Sequence, residues 1–469
     1  MFTGVERKWL LACAAVACGE AIGLNLGGWG ALWPCAAMLA AAFALLPGNR
    51  TAGLCCTLLF LGTALAMHSV VERRNLLREA ESGLYRAEVK VGKVSSQRAK
   101  DGRTIHSFKT DIGGVRARVV IDKDGVEAPQ PGETWVCEGW LKRLDVDDLT
   151  RERLFWVTGR PASARRLRPA SAVARFFTAL RENLSRRVAI GLGHDPMAVT
   201  LNRAILLGER AEMPPDVRSV FQSAGMVHVF AISGLHVMIV AQVILFLFVW
   251  LPYRTARMIA IPLLWFYVLL AGSAPSAVRA AAMASLYFAA PVFWRQPNSV
   301  VAWSATFLAV HLCSPVLLAN AGCLLSFAVM LSLVLASRAA HGLEGWRSRL
   351  VFALTAWAAG VPIVAHTFAH VTPGGLLANL VLIPAAEVSV WSGILGILAS
   401  CVWTPLAAHL NNLSALFTNA MVLVSRAVAA LPGADLAVGR WTAWQCAAWY
   451  AEIALGLLLA YLIRRRRVI

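Results

Sequence analysis

Charge is scarce in this sequence, and acidic charge is scarcest: 44 Lys and Arg and 26 Asp and Glu among 469 residues leave 15% of the chain charged. A soluble globular protein carries roughly 25%, so a soluble main body is excluded, and a mean hydropathy of +0.62 points to lipid. There is no G-x-x-x-x-G-K-[ST] run, which excludes a P-loop motor of that kind. Neither H-E-x-x-H nor H-x-H-x-D-H occurs, so those two metal sites are absent. The ten cysteines show no metal-ligand spacing. Nine of them sit in apolar stretches or at their edges, and Cys137 alone lies in a charged one, so that stretch has no internal disulfide.

The charge that is present is unevenly placed. More than half of it falls between Glu72 and Pro169, with 21 Lys and Arg against 15 Asp and Glu. The chain therefore reads as a charged insert between membrane-embedded parts, with a net charge of +18 that suits cytoplasmic anchoring loops, a phosphate-rich partner, or both. Within the insert, Tyr85, Ala87, Val89 and Val91 alternate with charged residues, as do Val115, Ala117, Val119 and Ile121. Strand-like runs also cover Thr104–Ile112, Gly132–Leu141 and Leu154–Gly159, with breaks at Asp101-Gly102, Gly113-Gly114 and Asp124-Gly125. Five short strands fit a small barrel such as an OB fold, and fit other barrels equally well.

Apolar segments at Trp9–Leu26, Trp29–Leu46 and Gly53–Val70 precede the insert, each near the ~20 residues needed to cross a bilayer. The first reads as an uncleaved helix rather than a signal peptide, because two further spans follow at once. After the insert, residues 170–226 read as amphipathic helices at the membrane surface, with Val173, Phe176, Phe177, Leu180, Leu184 and Val188 at helical spacing. Nine further spans are expected at Val227–Trp250, Arg257–Gly272, Ala277–Phe293, Val300–Cys313, Val316–Ala336, Leu350–His370, Gly375–Cys401, Leu413–Leu431 and Trp444–Ile463. The fold class is thus a polytopic α-helical membrane protein of about twelve spans with an inserted OB-like β domain. The domains read as 1–71 (three spans), 72–169 (insert), 170–226 (interfacial helices) and 227–469 (core). Arg464–Arg467 after the last span assigns both termini to the cytoplasm; the same parity makes Arg254, Arg257, Arg338, Arg347 and Arg349 cytoplasmic and the insert periplasmic.

The most specific stretch runs from Ala204 to Val237. It contains Leu207-Gly208-Glu209-Arg210 and then the run His228-Val229-Phe230-Ala231-Ile232-Ser233-Gly234-Leu235-His236. This resembles the ComEC family of competence proteins, whose hallmark is a membrane helix reading roughly H-x-x-A-I-S-G-L-H. Gly272 through Ala280, which includes Pro275, Ser276 and Arg279, and Pro373 through Asn379 running on to Pro384 look like further family stretches. The resemblance covers most of the chain. It implies an inner-membrane channel that passes single-stranded DNA into the cytoplasm during natural transformation. The partners it implies are the single strand, a periplasmic DNA-receptor protein, a cytoplasmic helicase or ATPase, a separate nuclease and membrane lipid. Many relatives end in a metallo-β-lactamase-like domain with an H-x-H-x-D-H motif; this sequence looks like a short form without it. Some relatives also have a disulfide in the outer domain, from which the lone Cys137 departs. No cofactor, metal or enzymatic activity is expected.

Read from the residues, His228, Ser233 and His236 fall within about two helical turns, and Gly225 and Gly234 allow close helix approach. Polar groups at membrane depth face a pathway or a partner helix, so these residues line a polar passage or bond helices together. A hydrolase pair of Ser233 with His228 or His236 has no evident acidic partner. Arg279 suits phosphate contact near the outer mouth, or snorkelling to the interface. Glu387 follows Asn379 and Pro384, where a broken helix would free backbone groups to line a cavity; an ion pair or a proton-coupling site fits Glu387 as well. Glu20 and Glu452 belong to no motif. His366 and His370, at i and i+4, lack a third metal ligand and read as ordinary polar ends. In the insert, Arg86, Lys90, Arg116, Arg118, Lys142 and Arg143 are candidate phosphate contacts, with Tyr85, Phe108, Trp135 and Trp140 available to stack bases or fill the core. The rival functions are a transporter of another anionic polymer or lipid, a membrane-embedded hydrolase, and a scaffold for the uptake machinery.

Overall fold

A computed structural model describes residues 12–13, 83–92, 94–98, 104–112, 115–122, 129–141, 153–158 and 164–170, and residues 171–453 apart from 211–212, 231, 314–316, 318–319, 340–343 and 443. The three leading spans (beyond residues 12–13) with Glu20, the end of the last span with Arg464–Arg467, and Lys142 and Arg143 lie outside the described residues. The chain divides into two compact units, residues 1–186 with 311–319 and residues 187–310 with 320–469.

The first unit contains a seven-stranded sheet: β1 (Gly83–Lys90), β2 (Val94–Arg98), β3 (Thr104–Ile112), β4 (Val115–Asp122), β5 (Thr134–Leu141), β6 (Arg153–Thr158) and β7 (Ala164–Arg168). The order is β1-β5-β6-β4-β3-β2, with β7 also on β5. Among the described residues only β4 and β6 run parallel. β6 meets β5 at Trp140 and Leu141 and β7 meets it at Thr134–Cys137, so these two share the edge of β5 opposite β1. The alternation predicted for β1 and β4 puts Val89, Val119 and Ile121 inside, where Val91, Phe108, Trp135 and Cys137 join them in one apolar cluster. Burial in that cluster pushes the Cys137 thiol up to about 12. Among the described residues the sheet path stays open, ending on β1 and β2, so the pairings do not form a closed barrel.

The helices are α1 (Ala172–Val188), α2 (Pro196–Leu207), α3 (Pro215–Ser223), α4 (Gly234–Leu247), α5 (Tyr253–Leu270), α6 (Pro275–Val292), α7 (Ser299–Cys313), α8 (Ala321–Ala339), α9 (Trp346–Phe368), α10 (Gly374–Ala399) and α11 (Thr404–Ala429), and residues 444–453 are also helical. On α1, Val173 and Phe176 are exposed beside Arg175. Among the described residues four helices, α5, α9, α10 and α11, are long and apolar enough to cross a membrane, and α2, α4, α7 and α8 are shorter apolar helices.

Two expectations are corrected here. The span expected over Val227–Trp250 is not one helix: a single 3-10 turn at Val227–Val229 is followed by a break, and α4 begins only at Gly234. Conversely, α10 is not broken at Pro384, which sits inside a continuous helix of 26 residues. In a helix interior, proline removes one backbone hydrogen bond; α10 accommodates that loss through its packing, with Ala378, Leu382, Ala386 and Val390 all buried.

In the second unit α4, α5 and α6 pack around Val237, Val240, Ala260, Leu264, Ala277, Ala281 and Phe288. Arg254 at the start of α5 lies 3.1 Å from the ring centroid of Trp294, just past the end of α6, so these two helices form an antiparallel hairpin with those ends together. Trp250, Tyr253, Phe293 and Trp294 are exposed at that end, an interfacial aromatic composition.

Candidate functional site

The start of α4 is where the chain's unusual features gather. Ser233 is the N-cap, in extended conformation (φ −122°, ψ −179°), and His236 stands at the third helical position, where a capping box usually carries Glu or Gln. The Ser233 amide donates to His236 Nδ1 at 3.4 Å, and Ser233 Oγ lies 3.3 Å from the same nitrogen. Both donors fall on Nδ1, which assigns the ring proton to Nε2. His236 is fully buried, and its Nε2 has no hydrogen-bond partner among the described residues. The ring of His228 bonds to the Gly225 backbone. The pair Ser233–His236 is accounted for by helix capping, a role the sequence alone does not separate from catalysis.

Three stretches singled out in the sequence meet at this point. Gly225 adopts φ +71° and lies so close to the start of α10 that a Cβ there would be 2.7 Å from Thr372 Oγ1. Only glycine takes that conformation without strain at such an approach. The Ser276 hydroxyl, from the turn opening α6, donates to Ile232 O at 2.9 Å within the break. Gly234 faces Ala280 of α6, its virtual Cβ at 3.5 Å. Gly208 (φ +70°), at the C-terminal end of α2, packs under Ile232. Non-helical backbone at membrane depth is tolerated where it is buried in protein or lines a water-filled cavity, and Ile232 O shows the first of these solutions.

The other candidates distribute differently. Arg279 is 5% exposed and donates from Nε to Ser326 Oγ at 3.3 Å and from Nη2 to Gly322 O at 3.1 Å, which ties α6 to α8. Asn379 is half-buried on α10, its Oδ1 without a partner among the described residues, and Glu387 is half-buried two turns on. His366 Nδ1 contacts Trp441 O at 2.6 Å and His370 Nδ1 contacts Asp435 Oδ1 at 3.1 Å, so the two rings turn to different partners. Glu452 is exposed. Among the described residues no cluster of His, Cys, Asp and Glu could hold a metal ion. In the insert Lys90 is exposed, Arg86 pairs in register with Glu138, Arg116 with Asp111 and Arg118 with Lys109. Phe108 and Trp135 are buried in the sheet's core, which removes them as base-stacking platforms.

Two groupings escaped the sequence reading. Asn202 of α2, Ser389 of α10 and Ser414 and Thr418 of α11 are all fully buried and form one network. Ser414 Oγ and Thr418 Oγ1 donate to Asn202 Oδ1 at 3.3 and 3.1 Å, and Ser389 Oγ lies 3.0 Å from Ser414 Oγ. Its signal was available: Asn411, Ser414, Thr418 and Ser425 repeat at helical spacing along one face of α11. The second is a concavity lined by Arg210, Met213, Arg218, Phe221 and Phe230.

The profile of the family described as Competence protein matches residues 205–464. Over 192 residues the chain is 30% identical to ComE operon protein 3 of Bacillus subtilis (strain 168), a segment covering 40% of this chain and 25% of that protein. It is also 31% identical over 205 residues to Competence protein ComA of Neisseria gonorrhoeae, covering 40% of this chain and 28% of the relative. The aligned segments thus span about a quarter of the length of these curated relatives. No solved structure matches. The matched region opens within α2 and takes in the α4 break together with the α6 and α10 segments that close on it, more than half of the sequence, and on this the chain belongs to the family of competence proteins.

Proposed function

We propose that this protein is a bacterial inner-membrane channel that passes single-stranded DNA into the cytoplasm during natural transformation. The observation that carries the reading is the family match over the helical region that contains the α4 break. A role in DNA uptake follows from the family; the channel itself is the step beyond it. A polyanion needs a hydrated path without unpaired carboxylates, and the helices from α4 to α11 contain Glu387 as their one acidic residue. The broken segment supplies the remaining ingredient, polar backbone and imidazole side chains gathered at one place in the helical unit.

On this reading the chain crosses the membrane about twelve times, both termini are cytoplasmic and the β insert is a periplasmic OB-like domain. The strand arrives from a periplasmic DNA-receptor protein after a separate nuclease has removed its complement. A cytoplasmic helicase or ATPase draws it inward, and the channel itself performs no chemistry.

The test is transformation of a deletion strain complemented with wild type or His236→Ala at matched expression, scoring labelled DNA separately in periplasm and cytoplasm. The channel reading expects DNA to accumulate outside the inner membrane in the deletion strain, and His236→Ala to reproduce that block. Normal cytoplasmic arrival in the deletion strain sinks it, and moves the transport of another anionic polymer or lipid ahead.

A further inference from the structure

We propose that Arg210 and Arg218 form a phosphodiester-binding site that holds the backbone of the incoming single strand beside the α4 break, an inference that rests on the channel reading above. Both guanidinium groups line the concavity closed by Met213, Phe221 and Phe230. They are near enough to act on one another electrostatically. Among the described residues neither is in an ion pair. Arg210 is half-buried and Arg218 exposed, so two like charges are held together at the rim of an apolar depression. Such an arrangement is unfavourable until an anion sits between them.

The floor of the depression decides which part of a nucleic acid is recognised. Phe221 and Phe230 are 1% and 2% exposed and pack edge to face with centroids 4.6 Å apart. Their faces are already covered, so they cannot stack a base; what remains on offer is charge. Recognition is therefore of the phosphate and independent of sequence. The position is also telling. Gly208, two residues before Arg210, touches Ile232 of the break, and the His236 ring lies within electrostatic reach of Arg210 and His228. Followed along α4 and α5, this end is opposite the one that carries Arg254 and Trp294. Cytoplasmic arginines orient membrane helices, but arginines at the outer end do not serve that purpose and need another reason to be there.

The probe is a fluorescent single-stranded oligonucleotide titrated onto the full-length protein in nanodiscs, at several salt concentrations, with lipid either purely zwitterionic or containing phosphatidylglycerol. R210Q/R218Q is expected to weaken binding by roughly tenfold and to flatten the salt dependence by about 0.7 for each phosphate that the variant no longer neutralises. R210K/R218K, which keeps the charge, retains most of the affinity, and an abasic oligonucleotide binds wild type as a normal one does. Equal affinity and salt slope for R210Q/R218Q and wild type overturns the site. So does a variant effect confined to phosphatidylglycerol nanodiscs, which would make the pair a lipid-headgroup site. Absence of binding by wild type in either lipid is a different failure, of the channel reading itself.

Discussion

Glu133 and His236 are both buried polar side chains, and their surroundings treat them in opposite ways. Glu133, at the turn into β5, accepts from Gln130 N at 3.0 Å and Trp135 Nε1 at 2.8 Å, and pairs with Arg166 at 3.3 Å. Burial alone would raise its carboxyl, but these donors outweigh it and hold the group below the usual carboxylate range. A carboxyl depressed in the folded state contributes stability that is present above its unfolded pKa, about 4.3, and is lost as pH falls through the folded value. Glu133→Gln is therefore expected to speed hydrogen exchange of the β5 amides at neutral pH, and the ratio of variant to wild type should approach one as the pH is lowered through 4. A ratio that stays constant across that range would remove the carboxylate's charge from the account. His236, with one nitrogen spent on the cap and the other without a partner among the described residues, has no comparable set of bonds.

At the scale of elements, the sheet and the helical unit hold together by different means. The sheet relies on alternation, and alternation is what makes a strand legible: β1, β3, β4, β5 and β6 fall where apolar and polar residues take turns, within about two residues of their expected bounds. β2 (VSSQR) and β7 (ARRLR) were not legible, because each pairs with a single strand, β3 or β5, and carries little apolar pattern. The α4 break was hidden for another reason. Hydropathy runs unbroken through residues 226–247, and the stop is set by a cap made with histidine instead of Glu or Gln. The start of α11 lay hidden in the same manner, since Asn411 and Asn412 look like a loop until Asn411 is seen donating to Arg187 O and Ile190 O at 2.9 and 3.0 Å. In the helical unit it is such bonds that join elements. Asn202→Ala removes the acceptor that Ser414 and Thr418 share and leaves their hydroxyls the Ser389 and Ala415 carbonyls, and from bonds of this kind inside membranes a loss of about 1 kcal/mol is expected. Measured by thermal unfolding in detergent, Asn202→Ala and Thr418→Ala should be less than additive, since both remove the same bond. Full additivity would mean that the network holds nothing together.

For the whole molecule the decisive question is sidedness, and the contacts make it sharp. If every helix from α4 to α11 crosses, the ends alternate. The turn opening α6, the start of α8 and the start of α10 then share one side, and the start of α5, the end of α6, the start of α9 and the end of α10 share the other. The contacts respect this division: Ser276 reaches Ile232, Arg279 reaches Gly322 and Gly225 meets Thr372 on one side, while Arg254 meets Trp294 on the other. The second group also carries Arg257, Arg295, Arg347 and Arg349, so the positive-inside rule assigns it to the cytoplasm. Cys401, exposed just past α10, belongs with it, and Pro275, exposed at the start of α6, belongs with the first. In a background with all other cysteines replaced by alanine, a membrane-impermeant maleimide applied to spheroplasts should label Pro275→Cys at once and Cys401 only after the inner membrane is permeabilised. The reverse order would turn the unit over and put Arg210 and Arg218 where DNA leaves instead of where it arrives. Equal labelling of both would mean that one of the helices between them fails to cross, and α7 is the first suspect, since at 1.5 Å per residue its 15 residues reach only about 22 Å.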